Sequence, residues 1–321
     1  MTQPTGIEIL EVAPRDGLQN EQPIVSTADK LLLINRTIAA GIRRIEATSF
    51  VHPERVPQMA DAEAVAAGLA RDRGVTYIGL VLNHRGAFRA LEAGMDELGA
   101  VAVASDSFGE RNQGQSSAES LAIACEIVAL AQSRGRSAQI TIATAFGCPF
   151  DGEVDPGRVT AMAREAAAFQ PREVALADTI GAASPGQVEK LVRDVRMAIA
   201  PIPVRVHFHN TRNTGLANVW AAISAGASTV DASVGGIGGC PFAPQATGNV
   251  PTEDVVYMLE RSQIETSLSL DRLIETAHWL DTVIGRQTPG MLARAGVFPP
   301  RQEEHRATRH SRSQTRVPES R

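Results

Sequence analysis

Two histidines close the run VRVHFHN, and their spacing is the first chemical signal in the chain. Side chains alternate along a strand, so His207 and His209 share one face. Neutral imidazoles that converge there readily hold a divalent cation; hydrogen-bonded core histidines are the alternative. The run EVAPRDGLQN supplies Glu11, Arg15, Asp16 and Gln19. A carboxylate just beyond a strand is a hard oxygen ligand, and Arg15 beside it can stabilise an anionic intermediate. A turn carrying a surface Arg–Asp pair is the bland alternative. Glu46, in RIEATSF, would be expensive if buried alone and requires a cationic partner, for which Arg15 is the natural candidate.

The stretch GGIGGCPFAPQATGN brings Cys240 and then Asn249. A glycine-rich loop of this length suits a lid that carries a thiol to a reacting centre, although a lone cysteine is more often inert and buried. Asn249 offers a carbonyl oxygen to a metal, or simply precedes a helix. Asp178 and Thr179, in ALADTIG, are candidates for binding substrate or for holding a neighbour. Asp16, His207, His209 and Asn249 together form a mixed nitrogen and oxygen set suited to Mg2+ or Mn2+, with softer Zn2+ ranked lower.

These residues converge only if the strands that carry them lie side by side. Runs rich in β-branched and aliphatic residues recur at 7–13, 42–48, 75–82, 98–104, 139–145, 173–178, 204–209 and 228–234. Amphipathic, alanine-rich stretches separate them at 28–39, 57–70, 85–93, 117–133, 157–169, 186–200 and 215–225, and another follows at 252–261. Such alternation means βα units and a parallel sheet. Eight units predict a closed TIM (β/α)8 barrel, whose active sites lie at the C-terminal ends of the strands. The rival open sheet lacks its mark, because APRDGLQN is not a glycine-rich dinucleotide fingerprint. Residues 268–300 read as further C-terminal helices, giving one barrel domain over 1–300. The polar, arginine-rich segment 301–321 has no apolar periodicity and is expected to be a disordered tail.

Bulk properties narrow the function. A net charge of −5 in 321 residues argues against general nucleic-acid binding. The N-terminus has no basic and apolar leader, and no apolar run approaches a membrane span. Cys125, Cys148 and Cys240 are too few and too scattered for a disulfide framework, so a reducing cytoplasm is the expected compartment. Lysine occurs only at 30 and 190, both outside the strands, which disfavours an imine-forming aldolase.

The segments EVAPRDGLQNE, IEATSFVHPERVPQM, FGCPFDGEV, DTIG, HFHN and GGIGGCPFAPQATGNVPTED resemble, in order, those of the HMG-CoA lyase family within the DRE-TIM metallolyases. The resemblance implies that Asp16, His207, His209 and Asn249 are metal ligands. It implies that Arg15 steadies a thioester enolate, that Glu46 supports the site and that Cys240 takes part in proton transfer, and Asp16 is also a candidate for the base that takes the substrate hydroxyl proton. The family reaction splits 3-hydroxy-3-methylglutaryl-CoA into acetyl-CoA and acetoacetate, so an acyl-CoA substrate and a homo-oligomer, a dimer, are expected. Where relatives commonly continue Asp-Thr-Tyr-Gly-Gln, this chain has Asn210, Thr211, Arg212, Asn213 and Thr214, and Gln22 stands where they have lysine. Arg212 is therefore expected near the barrel mouth, as a donor fork for a carboxylate or a CoA phosphate; a surface arginine paired with a nearby acid is the even alternative. A citramalyl-CoA lyase or a condensing enzyme on the same barrel is the neighbouring reading. A catalytically silent barrel would have lost rim ligands, and here none is lost.

Overall fold

Eight strands are hydrogen-bonded in sequence order into a closed ring. The computed structural model describes residues 6–239 and 248–299. The strands are β1 (Glu8–Glu11), β2 (Arg44–Ser49), β3 (Thr76–Val81), β4 (Glu97–Val103), β5 (Ser137–Ala143), β6 (Val174–Asp178), β7 (Val204–Phe208) and β8 (Thr229–Ala232). Each lies parallel to its neighbours, and the register Glu8↔Thr229 to Glu11↔Ala232 shuts the ring. Around it run α1 (Thr27–Ala39), α2 (Ala62–Ala67), α3 (His84–Glu92), α4 (Asp106–Gln113), α5 (Ser117–Ser133), α6 (Pro156–Ala167), α7 (Pro185–Ile199), α8 (Gly215–Ala225) and α9 (Thr252–Arg261). Then come α10 (Leu270–Ile284) and α11 (Leu292–Ala295).

Period-two alternation explains which residues hold the shell and which fill the barrel. Ile45, Leu98, Ile140, Leu176 and Val206 belong to one buried cluster with Val128 of α5, Val192 of α7 and Val219 of α8. Each such aliphatic side chain contributes about 1.5–3 kcal/mol by leaving water. Helix starts are fixed locally: Ser26 accepts from the Asp29 N–H, Asn83 from that of Gly86, and Ser116 forms a capping box with Glu119.

The opposite, inward faces carry charge where barrels usually carry branched aliphatics. Arg44, Glu97, Glu173, Arg205 and Asp231 are all buried. Arg44 pairs with Glu97 and lies 2.7 Å from Glu173 Oε1. The Arg205 Nε sits 2.9 Å from that same oxygen, and Arg205 Nη1 donates to Asp231 at 2.7 Å. Opposite charges thus alternate upward from the N-terminal base of the barrel.

Three details depart from the sequence reading. The expected helix over 57–70 is a single turn at Pro57–Met59 followed by the short α2. The buried Lys30 ammonium takes the Gln58 carbonyl and the Asp61 carboxylate, while Gln58 bonds to Val25 and Pro23, so tertiary contacts replace helix continuity. The polar helix α4 was not anticipated at all. The C-terminal stretch divides into α10 and α11, and the expected disorder of 301–321 concerns residues outside those described. Among the described residues, no helix is long and apolar enough to cross a membrane.

Candidate metal and substrate site

At the C-terminal mouth, the tight turn Ala13–Gly17 after β1 delivers Arg15 and Asp16 over the barrel axis. Gly17 is required there, because a Cβ would meet Ile237 and Ser233 at 2.8 Å. Inward alternation on β7 brings up His207 and then His209, with ring centroids 5.1 Å apart. Asp16 Oδ2 lies 3.9 Å from His207 Nε2 and 3.7 Å from His209 Nε2. Ligand atoms of these three residues all fall within 4.8 Å of one another, a span that one cation can bridge.

Asn249 completes the cluster. Its Nδ2 donates to Asp16 Oδ2 at 2.8 Å and to the Ile237 carbonyl at 3.1 Å, so both amide protons are engaged. Its Oδ1 is buried and has no hydrogen-bond partner. An unsatisfied buried carbonyl beside a carboxylate and two imidazoles suits a hard or borderline divalent cation. The loop after β8 has to pass close by: at Gly238, with φ +128°, a Cβ would land 2.4 Å from Asn249 Nδ2.

Arg15 ties this cluster to Glu46. Its Nε donates to Glu46 and its Nη1 to Asp16 Oδ1 at 2.6 Å, as the sequence required of a buried Glu46. Burial alone would raise the Asp16 pKa, but Arg15 and then the His209 and His207 imidazoles hold it well below the usual carboxylate range. Asp16 is therefore held in its charged form. For His207 burial acts downward, yet the bond to Asp231 and the nearby Asp16 raise its pKa overall.

A cavity of about 730 Å³ opens above this cluster, lined among others by Arg15, Asp16, Gln19, Glu46, Thr179, His207 and His209. Gln19 and Thr179 thus reach the position that the sequence suggested. Gly239 also lines the cavity, and Asn20 Nδ2 donates to its carbonyl at 2.8 Å, linking the loops after β1 and β8. Cys240 itself lies outside the described residues.

Three polar residues go elsewhere. Ala177 faces the cavity, so Asp178 faces the helices, where it accepts the N–H groups of Ala182 and Ala183 at 2.8 and 3.0 Å. Glu11 alternates outward as well, accepting from Ala13, Val234 and Thr252. Arg212 does not line the cavity as expected. Its Nη1 donates to the Ile180 and Gly181 carbonyls of the loop after β6 at 3.1 and 2.8 Å. Of the two lysines, Lys30 pairs with Asp61 and Lys190 with Asp194, so the cavity holds no amine for imine chemistry.

The site also contains residues that sequence reasoning missed. Asp231 accepts from His207 Nδ1, 3.2 Å away, and Arg205 lies just below. The alternation that singled out His207 and His209 extends one step back to Arg205. Asp231 is the one charge in the apolar run STVDASV. Phe108, Arg111, Asn112, Gln113 and Gln115, on or just after α4, wall one side of the cavity. Ser105 at one end and a left-handed Gly114 at the other mark that helix.

A closed (β/α)8 barrel with a carboxylate–imidazole–amide cluster at its C-terminal mouth has the architecture of a barrel enzyme. The chain belongs to the HMGL-like family, whose model matches residues 6–280. The hydroxymethylglutaryl-CoA lyase of Bacillus subtilis is 40% identical over 289 residues, covering 90% of this chain and 97% of that protein. The (R)-citramalyl-CoA lyase of Chloroflexus aurantiacus is 41% identical over 305 residues, covering 91% and 96%. An HMG-CoA lyase from Acinetobacter baumannii, solved with coenzyme A and 3-methylmalate, superposes with a TM-score of 0.89 at 42% identity. That match covers 94% of this chain and 99% of the other.

Proposed function

We propose that this protein is a divalent-cation-dependent carbon–carbon lyase that cleaves a 3-hydroxy-acyl-CoA, with 3-hydroxy-3-methylglutaryl-CoA as substrate and acetyl-CoA and acetoacetate as products. The observation that carries this reading is the cluster of Asp16, His207, His209 and the unpartnered Asn249 oxygen, facing a cavity large enough for an acyl thioester. Mg2+ or Mn2+ fits the mixed donor set better than Zn2+, which favours more sulfur and nitrogen. When bound, the cation supplies Lewis acidity that orients the substrate hydroxyl and carboxylate and lowers the hydroxyl pKa.

The protein's own groups account for the remaining chemistry. A base takes the C3 hydroxyl proton as the bond between C2 and C3 breaks, which leaves a ketone on one fragment and a thioester enolate on the other. The Arg15 guanidinium, held by Glu46 and Asp16, can donate to that enolate oxygen. Gln19 and Thr179 line the same space and supply neutral hydrogen-bonding groups for the acyl moiety. Cys240 follows the cavity-lining Gly239 directly, and its thiol is assigned to protonating the enolate carbon.

A second acyl group merits equal treatment in the assay, because the Chloroflexus citramalyl-CoA lyase is as similar to this chain as the Bacillus enzyme. The two substrates differ by one methylene between the carbinol carbon and the carboxylate. A hydrophobic difference of that size discriminates by only about 10–200-fold. Purified enzyme with Mn2+ should release acetyl-CoA from HMG-CoA, with a specificity constant higher than for citramalyl-CoA. The reverse order would transfer the assignment to citramalyl-CoA, and no release from either would remove the lyase reading.

A further inference from the structure

Three inward side chains climb β7: Arg205, His207 and His209. The upper two belong to the proposed cation site, and the lowest has no part in it so far. Arg205 is 1% exposed, although burying a guanidinium is costly and aliphatic residues commonly fill this layer. Carboxylates and a hydroxyl nonetheless surround it, although Nε makes no hydrogen bond. Nη1 reaches both oxygens of Asp231, Nη2 donates to Thr141 Oγ1 at 2.8 Å, and Nε lies 2.9 Å from Glu173. Asp231 stands directly across from His207 in the β7–β8 register and places Oδ2 3.2 Å from its Nδ1.

A carboxylate facing a guanidinium is an acceptor only, so His207 Nδ1 must carry the proton that bonds to Asp231. In the neutral ring Nε2 is then left with its lone pair. That nitrogen points toward Asp16.

We propose that Arg205 is a positioning residue for the cation site: it clamps Asp231, which in turn fixes the tautomer and the orientation of His207. The inference rests on the lyase reading above, since it assumes that His207 holds a cation. It extends that reading to a residue that acts on the cation's histidine through Asp231. Thr141 accepts from Nη2 and the Glu173 carboxylate stands beside Nε, which together hold the guanidinium against Asp231. Partners of this kind typically alter metal affinity or activity by about 10–100-fold.

The test is Mn2+ binding to chelator-treated protein, measured by calorimetry for wild type, Arg205→Met, Arg205→Lys, Asp231→Asn and Arg205→Met/Asp231→Asn. Thermal midpoints are recorded alongside. Arg205→Met should weaken Mn2+ binding by about 10–100-fold, with the activity deficit largely recovered at saturating Mn2+. Arg205→Lys should fall between the two, since it keeps the charge and loses the fork. The double variant should bind no more weakly than the worse single one, because both changes break the same line of contacts. In wild type, nitrogen-15 correlation spectra should show His207 protonated at Nδ1, and in Asp231→Asn that preference should be lost.

Wild-type Mn2+ affinity in Arg205→Met, with only a lowered thermal midpoint, would reduce Arg205 to a packing role and overturn the inference alone. Should Arg205→Met fail to fold, wild-type affinity in Asp231→Asn would overturn it equally. Failure of the wild-type protein to bind Mn2+ would instead remove the lyase reading, and this inference with it.

Discussion

The barrel buries two charged clusters, one at its base and one at its mouth, and they are built to different ends. At the base Arg44 and Arg205 are enclosed by Glu97, Glu173 and Asp231, so each guanidinium meets carboxylates on more than one side. At the mouth one guanidinium, Arg15, serves both Glu46 and Asp16. There the Asn249 oxygen and His209 Nδ1 are buried without hydrogen-bond partners. At the base opposite charges neutralise one another across neighbouring strands, whereas at the mouth the open Asn249 oxygen adjoins a carboxylate and two imidazoles. The two meet at Asp231, which takes Arg205 from below and His207 from above. Folding stability should therefore depend on the base, and turnover on the mouth.

The strongest way to break that contrast is to remove a ligand. His209→Ala should lose tight Mn2+ binding and at least about three orders of magnitude in kcat/KM, within the range for groups acting directly on the reacting atoms. Its circular dichroism and thermal midpoint should stay near wild type. A large loss of stability with retained Mn2+ binding would place His209 in the core instead. Next in size is Cys240→Ser, expected to slow turnover by about two to four orders of magnitude without affecting Mn2+ affinity. The buried Cys125 of α5 serves as its control, since serine there should leave turnover nearly normal. Equal small effects at both cysteines would make Cys240 structural.

The base should answer in the opposite currency. Arg44→Met leaves Glu97 buried without its shortest ion pair and Glu173 with only one of its two guanidinium partners, and should cost about 3–5 kcal/mol of stability. The kcat per folded molecule should hold steady, which denaturant titration and active-site counting can separate. A specific fall in kcat would mean that the base communicates with the chemistry beyond Arg205.

The smallest effect concerns pH and a third region, beneath the loop after β8. Burial raises Glu11 to about 7 and Glu253 to about 8, from an ordinary value of 4.5. Between pH 4.5 and about 8 the folded state holds protons that the unfolded chain has released, so stability falls as pH rises through this window. Glu253→Gln removes one ionisation and should flatten the upper part of that slope, by at most about 1.4 kcal/mol per pH unit. An unchanged slope in urea midpoints between pH 6 and 8 would show that Glu253 ionises normally.

Much of this was legible beforehand, and the reasons are local. β-Branched runs announced the strands, and period two put His207 and His209 on one face without any knowledge of the barrel. The partnership of Glu46 with Arg15 followed from the cost of a lone buried carboxylate. What could not be read depends on neighbours distant in sequence. The line from Arg205 to His207 passes through Asp231 on the adjacent strand, and only the register aligns them. Helix α4 is too polar to show an apolar stripe, yet it walls the cavity. The bonds from Arg212 to the Ile180 and Gly181 carbonyls were likewise invisible, since they join loops that follow different strands.

The central claim is that the mouth cluster holds a cation essential to carbon–carbon cleavage. Acetyl-CoA release from HMG-CoA and from citramalyl-CoA by chelator-stripped enzyme, followed as Mn2+ is added back, tests it most directly. The account predicts negligible release of acetyl-CoA from either before addition and full recovery after it in wild type, with no recovery in His209→Ala. Full turnover by the stripped enzyme in the continued presence of chelator would contradict it.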